Sequence, residues 1–225
     1  SRPSRSVGWP PRPAAEWAMR GLVAVAAVLA AGGGLVAEAR TVADVVRELG
    51  PAARERLRPH FERAGVAYPP RAATFVVLKG ERRFELWAAG AQGPRLVREY
   101  AIQAASGGPG PKLAEGDLQV PEGLYKVLFL NPASSYHLSM KLDYPNAFDR
   151  RQAARDRRTR LGGDIFIHGR DVSIGCVALG DPAIEELFVL AHDVGVPRLE
   201  TVIVPYDFRR LKPDAAGLRP DGSLE

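Results

Sequence analysis

From Thr41 the apolar positions recur at three- and four-residue spacing in "TVADVVRELG", the period of an amphipathic helix, and Gly50 closes the run. Pro51 opens a second helical stretch, "PAARERLRPHFERAG", which ends at Gly65 and carries Pro59 as a possible kink. "YPPR" at 68–71 marks a boundary, after which the period shortens to that of strands. "ATFVVLK" and "RFELWAA", joined through Gly80, Glu81 and Arg82, and then "RLVREYAIQAA" after the turn "GAQGP", predict an antiparallel meander. Residues 106–123, rich in Gly and Pro, predict a long loop ordered only by turns. "GLYKVLFLN" and "SYHLSMKL" predict two more strands, and "YPNAFDRRQAARDRRTR" a polar helix after a turn. "DIFIH" is a short strand ending at His168, and "CVAL" resumes extended chain after a tight loop. The helix "DPAIEELFVLAHDVG" places Ile184, Leu187, Phe188 and Ala191 on one face, and "ETVIVP" is a last strand. The order of elements gives a mainly β (α+β) domain with flanking helices and no internal repeats.

Four segments follow: an upstream stretch and leader over 1–39, N-terminal helices over 40–65, a folded domain over 66–208, and a flexible tail over 209–225. The leader reading rests on Met19-Arg20 followed by "GLVAVAAVLAA" and by Ala37-Glu38-Ala39, the layout of a secretory signal with its small-residue cleavage site. Retention of this segment as a membrane anchor is the alternative, against which Gly32-Gly33-Gly34 and Glu38 speak. Both readings place the domain outside the cytoplasm, with membrane contact only through an uncleaved leader. The chain's formal charge is +5. The leader takes Arg2, Arg5, Arg12 and Arg20 with it against Glu16 and Glu38, so what remains is mildly basic. Export disfavours nucleic acid as a partner, so none is expected, and the mild charge suits an anionic cell wall. The arginines of "DRRQAARDRRTR" read as a solvated helix face.

The 225 residues hold one cysteine, Cys176. An exported protein uses cysteines in pairs, so a single one is either a small buried hydrophobe or a reactive group. Its surroundings favour reaction. His168 ends a strand and Cys176 begins one eight positions later, so a compact loop can bring the two side chains together across a strand pair. A free thiol ionises near a pKa of about 8.5 and attacks as thiolate, and a neighbouring imidazole that takes its proton makes it a nucleophile near neutral pH. Gly169 lets the chain bend, and a carbonyl in this loop can accept the other imidazole N–H and fix the tautomer. Gly175 leaves its own amide and that of Cys176 unscreened as oxyanion donors. Ser173 braces the turn or joins the loop network.

His60 and His192 fall within helices and read as surface groups. Alternation in "SYHLSMKL" puts His137 on one face with Ser135 and Ser139, polar enough for the wall of a substrate cleft, so His137 and Ser139 are candidate substrate-binding residues. No third or fourth ligand stands at metal spacing beside His168 and Cys176, which argues against zinc. "GGPGPKL" lacks the Gly-Lys-Ser/Thr ending of a nucleotide loop. No cofactor is expected.

"IHG" followed shortly by "SIGC", with "GPKLAEGDLQVPEGLYKV" upstream and "SYHLSMKLDYPNAFDR" between, resembles the L,D-transpeptidase catalytic domain family (YkuD-like), and within it the YafK-like branch, over about residues 66–208. The resemblance implies a β-sandwich of mixed sheets and a periplasmic enzyme acting on peptidoglycan stem peptides. It implies Cys176 as nucleophile, His168 as base and the Gly169 carbonyl as orienter. The thiolate would attack the diaminopimelate carbonyl of a tetrapeptide stem and expel D-alanine, and an amine of another stem or of a wall-linked lipoprotein, or water, would resolve the thioester. The branch also includes proteins assigned hydrolysis of the bond between diaminopimelate and a wall lipoprotein. A wall-binding module without catalysis is the remaining alternative. The chain departs from the common family motif in carrying Ile174 where a histidine is usual, in a shorter loop between His168 and Cys176, and in lacking an Arg or Asn in "CVALGD".

Overall fold

A computed structural model describes residues 40–210 of the chain. The leader reading and most of the tail fall outside them. Strands β1 (Ala73–Leu78), β2 (Arg83–Gly90) and β3 (Gly93–Ala101) form the expected antiparallel meander. The last strand, β8 (Leu199–Val204), returns to lie parallel to β1 and carries the sheet onward to β4 (Gly123–Asn131), β5 (Ser139–Leu142), β6 (Phe166–His168) and β7 (Val177–Ala178). The order across the sheet is β3-β2-β1-β8-β4-β5-β6-β7.

β4 is where this sheet turns over. Its first residues, Gly123–Lys126, pair with β8, whereas Val127–Asn131 pair with β5, and a bulge lies between Val127 and Phe129. An extra residue on one strand bends it and increases its twist. The two ends of the sheet meet as a result. Just past β3, the Gln103 amide donates to Ala178 of β7 at 2.9 Å, and the Ala178 amide donates to the Ala104 carbonyl at 2.9 Å. Two mixed half-sheets are thus joined at their far ends, and the edge of β7 is covered by the chain just past β3.

Helix α3 (Asp181–Val194) fills the interior. Ile184, Leu187, Phe188, Val189, Leu190 and Ala191 are all fully buried, so the one-faced stripe read from the sequence is an apolar surface around most of the helix. Helix α1 (Val42–Ala64) covers α3. Thr41 and Asp44 form a capping box at its start, and Gly65, in the left-handed region at φ 66°, ends it. The sequence predicts two helices here, and the structure has one. Pro51 and Pro59 each cost about 3 kcal/mol within a helix, yet the stripe Val45, Ala53, Leu57 and Phe61 runs through both and is buried throughout. Burying a large apolar side chain contributes about 1.5–3 kcal/mol, so the continuous stripe offsets a cost of the size the prolines impose. Ion pairs lock the two helices together: Arg54 grips Asp193 with two bonds of 2.7 Å, and Arg56 reaches Glu185 at 3.0 Å and the buried Glu186 at 2.7 Å.

Helix α2 (Ala147–Arg155) begins at an Asn146–Asp149 capping box and stops short of the predicted end, because Arg157 takes φ 57°. No helix among the described residues is long and apolar enough to cross a membrane.

Candidate active site

The site lies on the half-sheet β5–β6–β7. Ser139 faces His168, and Lys141 faces Phe166, across the antiparallel β5–β6 pair. β6 and β7 run parallel with Ile167 beside Val177 and His168 beside Ala178, which puts Cys176, one place before β7, next to Phe166. Side chains two residues apart share a face. One face therefore carries Met140, Leu142, Ile167 and Val177, all fully buried, and the other carries Ser139, Lys141, Phe166, His168, Cys176 and Ala178. His168 and Cys176 are diagonal neighbours on that second face.

The imidazole is held from two sides. His168 Nδ1 lies 2.7 Å from the Gly169 carbonyl oxygen. A carbonyl can only accept, so Nδ1 carries the proton and Nε2 presents its lone pair. The Tyr136 ring stacks at 4.7 Å between centroids, tilted by 36°. Burial pushes the His168 pKa below its ordinary 6.5, with the Gly169 contact pulling partly the other way, so the resting ring is a neutral base. Glycine at 169 is required by space rather than by a bend. A β-carbon there would come within 2.7 Å of an Asp181 carboxylate oxygen and 2.8 Å of the Tyr136 carbonyl.

Cys176 is half-buried, and its Sγ donates to the Asp164 carbonyl at 3.6 Å. Burial raises its pKa, while the Phe166 amide and the charges of Lys141 and Lys112 oppose that rise and Asp164 adds to it. Burial thus favours the neutral form of both groups, thiol and imidazole.

Two sequence expectations are corrected here. The first concerns the oxyanion donors. The Gly175 amide donates to Ser106 Oγ at 2.6 Å and the Cys176 amide donates to Ser173 Oγ at 2.9 Å, so neither is bare. Buried amides need acceptors, and two serine hydroxyls supply them. Ser173 completes a local ring by donating to the Cys176 carbonyl at 2.6 Å, which makes it a brace. Gly175 does need to be glycine, since its φ is 101°. The second concerns His137. It precedes β5 with φ 71°, which breaks the alternation that would have aligned it with Ser139, and its Nε2 meets Glu185 of α3 at 3.0 Å. Ser139 is on the site face but only 2% exposed, directly across from His168.

The sequence reading missed Tyr136, Ser106, the Asp164 carbonyl and Lys141. Only Lys141 left a signal, because pairing "SMKL" against "FIH" in antiparallel register puts it on the His168 face. The loop over 102–122 is ordered by Asp117, which accepts from the amides of Leu113, Ala114 and Gln119 and pairs with Lys112 at 2.6 Å. From Lys112 a cavity of about 660 Å³ extends past Leu113 to Phe148, Arg155 and Arg158. The arginines read as a solvated face thus include two that line a hollow. Among the described residues no group of three or more His, Cys, Asp or Glu is gathered as a metal site would be.

The L,D-transpeptidase catalytic domain (YkuD) matches residues 72–204, more than half of the chain and all of this site. The chain belongs to that family. It is 34% identical over 135 residues to the proteins named "Putative L,D-transpeptidase YafK" of Escherichia coli K12 and O157:H7. That match covers 58% of this chain and 52% of the relatives, so the chain spans about half their length. Among solved structures it is similar to the helical cell shape determining protein Pgp2 of Campylobacter jejuni, with a TM-score of 0.50 and 24% identity over 60% of this chain and 48% of that one. This likeness is one of fold, and it agrees with the mixed, sheet-dominated L,D-transpeptidase architecture expected from the sequence.

Proposed function

We propose that the protein is a cysteine acyl-transfer enzyme of peptidoglycan, working outside the cytoplasm on diaminopimelate-containing stem peptides. The observation that carries this reading is the shared sheet face of His168 and Cys176, with Nδ1 clamped by Gly169 and Nε2 left to accept a proton, within an L,D-transpeptidase domain. Nε2 takes the Sγ proton as sulfur attacks the diaminopimelate carbonyl, and an S–C bond forms. The tetrahedral adduct collapses, the C–N bond to D-alanine breaks, and the imidazolium returns its proton to the departing amine. A thioester on Cys176 remains. An acceptor amine then gives a proton to Nε2 and attacks the thioester, yielding a new amide and the thiol. Water in place of the amine yields a carboxylate, the outcome for an enzyme that trims stems or releases a wall-linked lipoprotein.

Incubation of the chain with a disaccharide tetrapeptide, followed by mass analysis, tests this. Cross-linked dimer is expected for transpeptidation and tripeptide for hydrolysis, and a lipoprotein-linked stem is the substrate to add if neither forms. An electrophilic carbapenem should add its mass at Cys176, and an adduct that survives Cys176→Ala would overturn the assignment. Stem binding with no thioester on any of these substrates would mark a wall-binding module.

A further inference from the structure

The site face carries a cation that the proton transfer between Cys176 and His168 does not use. Lys141 sits opposite Phe166, and Phe166 sits beside Cys176, so the three occupy one row across β5, β6 and the entry to β7. The Lys141 ammonium is fixed above the Phe166 ring, 4.7 Å from its centroid, and its side chain is only 12% exposed. Its anionic partner is Asp164 at 2.5 Å, and Asp164 is also the residue whose carbonyl accepts the thiol proton.

The charges around the sulfur are Lys141 from β5, Asp164 from the segment before β6, and Lys112 from the loop over 102–122, and the neutral ring of His168 on β6 is the other titratable group on this face. Lys112 is compensated within its own loop by Asp117 at 2.6 Å and by the Ala114 carbonyl at 2.9 Å. The Asp164 carboxylate is 91% exposed, so water screens it strongly, whereas the lysine it pairs with is largely desolvated. Lys141 is therefore the less compensated cation of the two.

We propose that Lys141 is a positioning residue whose fixed ammonium stabilises the sulfur anion formed when the Cys176 proton leaves for His168. The inference deepens the reading of Cys176 as nucleophile and rests on it for its catalytic meaning, but the electrostatic effect on the thiol is measurable without any wall substrate. The directions of the influences on the thiol agree: Lys141 favours the thiolate and Asp164 opposes it.

Cys176 is the only cysteine in the chain, so alkylation by iodoacetamide reports on one thiol. The experiment follows the second-order alkylation rate against pH for the full chain and for K141M, K141R and D164N. K141M should move the midpoint upward and slow alkylation at pH 7.5 by about threefold to tenfold. K141R, which keeps the charge, should hold the wild-type midpoint, and D164N should move it downward. An unchanged midpoint in K141M, or movement of K141M and D164N in the same direction, would overturn the proposal. If K141M does not fold, D164N decides alone, and the absence of a downward movement overturns it. Because iodoacetamide needs no acceptor or stem, failure of this inference and failure of the transpeptidase reading are separate results.

Discussion

The two faces of the β5–β6–β7 half-sheet are built from alternate residues of the same three short strands and hold their side chains by different physics. Met140, Leu142, Ile167 and Val177 point inward, are fully buried, and stay in place because any departure opens a void. Ser139, Lys141, Phe166, His168 and Cys176 point the other way; Ser139 and His168 are buried there too, but among polar groups rather than in an apolar core. His168 and Cys176 are each tethered by a directed contact from a loop: Gly169 to His168, and Asp164 to the Cys176 sulfur, with Ser173 and Ser106 fixing the backbone beneath the sulfur. The inward face needs only apolar volume. The outward face needs particular atoms at particular distances, so its substitutions should cost chemistry before they cost stability.

The sharpest break of that contrast is Cys176→Ala. Activity on a tetrapeptide stem should fall by at least about a thousandfold, as removal of a nucleophile does, while the thermal midpoint stays close to wild type because the lost thiol makes one long bond. A large drop in melting temperature together with residual turnover would mean that Cys176 is a packing residue.

Ile167→Ala, one position before His168, should do the reverse. Deleting a fully buried isoleucine side chain costs about 2–5 kcal/mol, read as a lower urea midpoint with an unchanged slope. The alkylation–pH profile of Cys176, measured on the folded protein, should match wild type. If the profile moves as much as stability does, the two faces are mechanically coupled and the contrast fails.

The inward face was the legible one. Periodicity located the meander, the strand ending at His168, the extended chain after Gly175 and the helix from Asp181, because burial imposes a repeat that a sequence records. It failed at Gly50–Pro51, where local breaker signals pointed to two helices and a buried stripe spanning both overrode them. The outward face was legible only where it rides on a strand. His168 and Cys176 were placed by the "DIFIH" and "CVAL" runs, and the Gly169 carbonyl came from the family resemblance. His137 was misplaced, since a residue at φ 71° abandons alternation before β5 begins. Ser106 lies 69 positions from the amide it serves, a contact that neither period nor motif encodes. Tyr136, set by a turn, left no trace either.

Ser106→Ala tests whether the loop tether matters at all. It leaves the Gly175 amide without its acceptor and should cost about 1–2 kcal/mol, the desolvation penalty of one unpaired buried group. A larger fractional loss in kcat than in KM is the expected signature, because the tether orients the sulfur and does not contact the stem. Stability and kinetics equal to wild type would show that water replaces the hydroxyl and that the brace is Ser173 alone.

The smallest effect concerns the position of a pH limb. His168 must be neutral to accept the thiol proton, and burial holds its folded pKa below 6.5. The acid limb of kcat/KM should accordingly lie below pH 6.5 and not at it. The sign for stability follows from the same displacement. In the unfolded chain the ring binds a proton as pH falls through about 6.5, while in the folded chain it resists until a lower pH, so the unfolded state binds more protons in that window. Folding free energy contributed by the neutral ring is present above 6.5 and is lost as pH falls from there toward the folded value. His168→Gln should flatten that part of the stability profile while removing activity at every pH. A wild-type acid limb above 6.5 would mean that the imidazole is stabilised as a cation. The outward face would then be held by charge rather than by the neutral contacts described above.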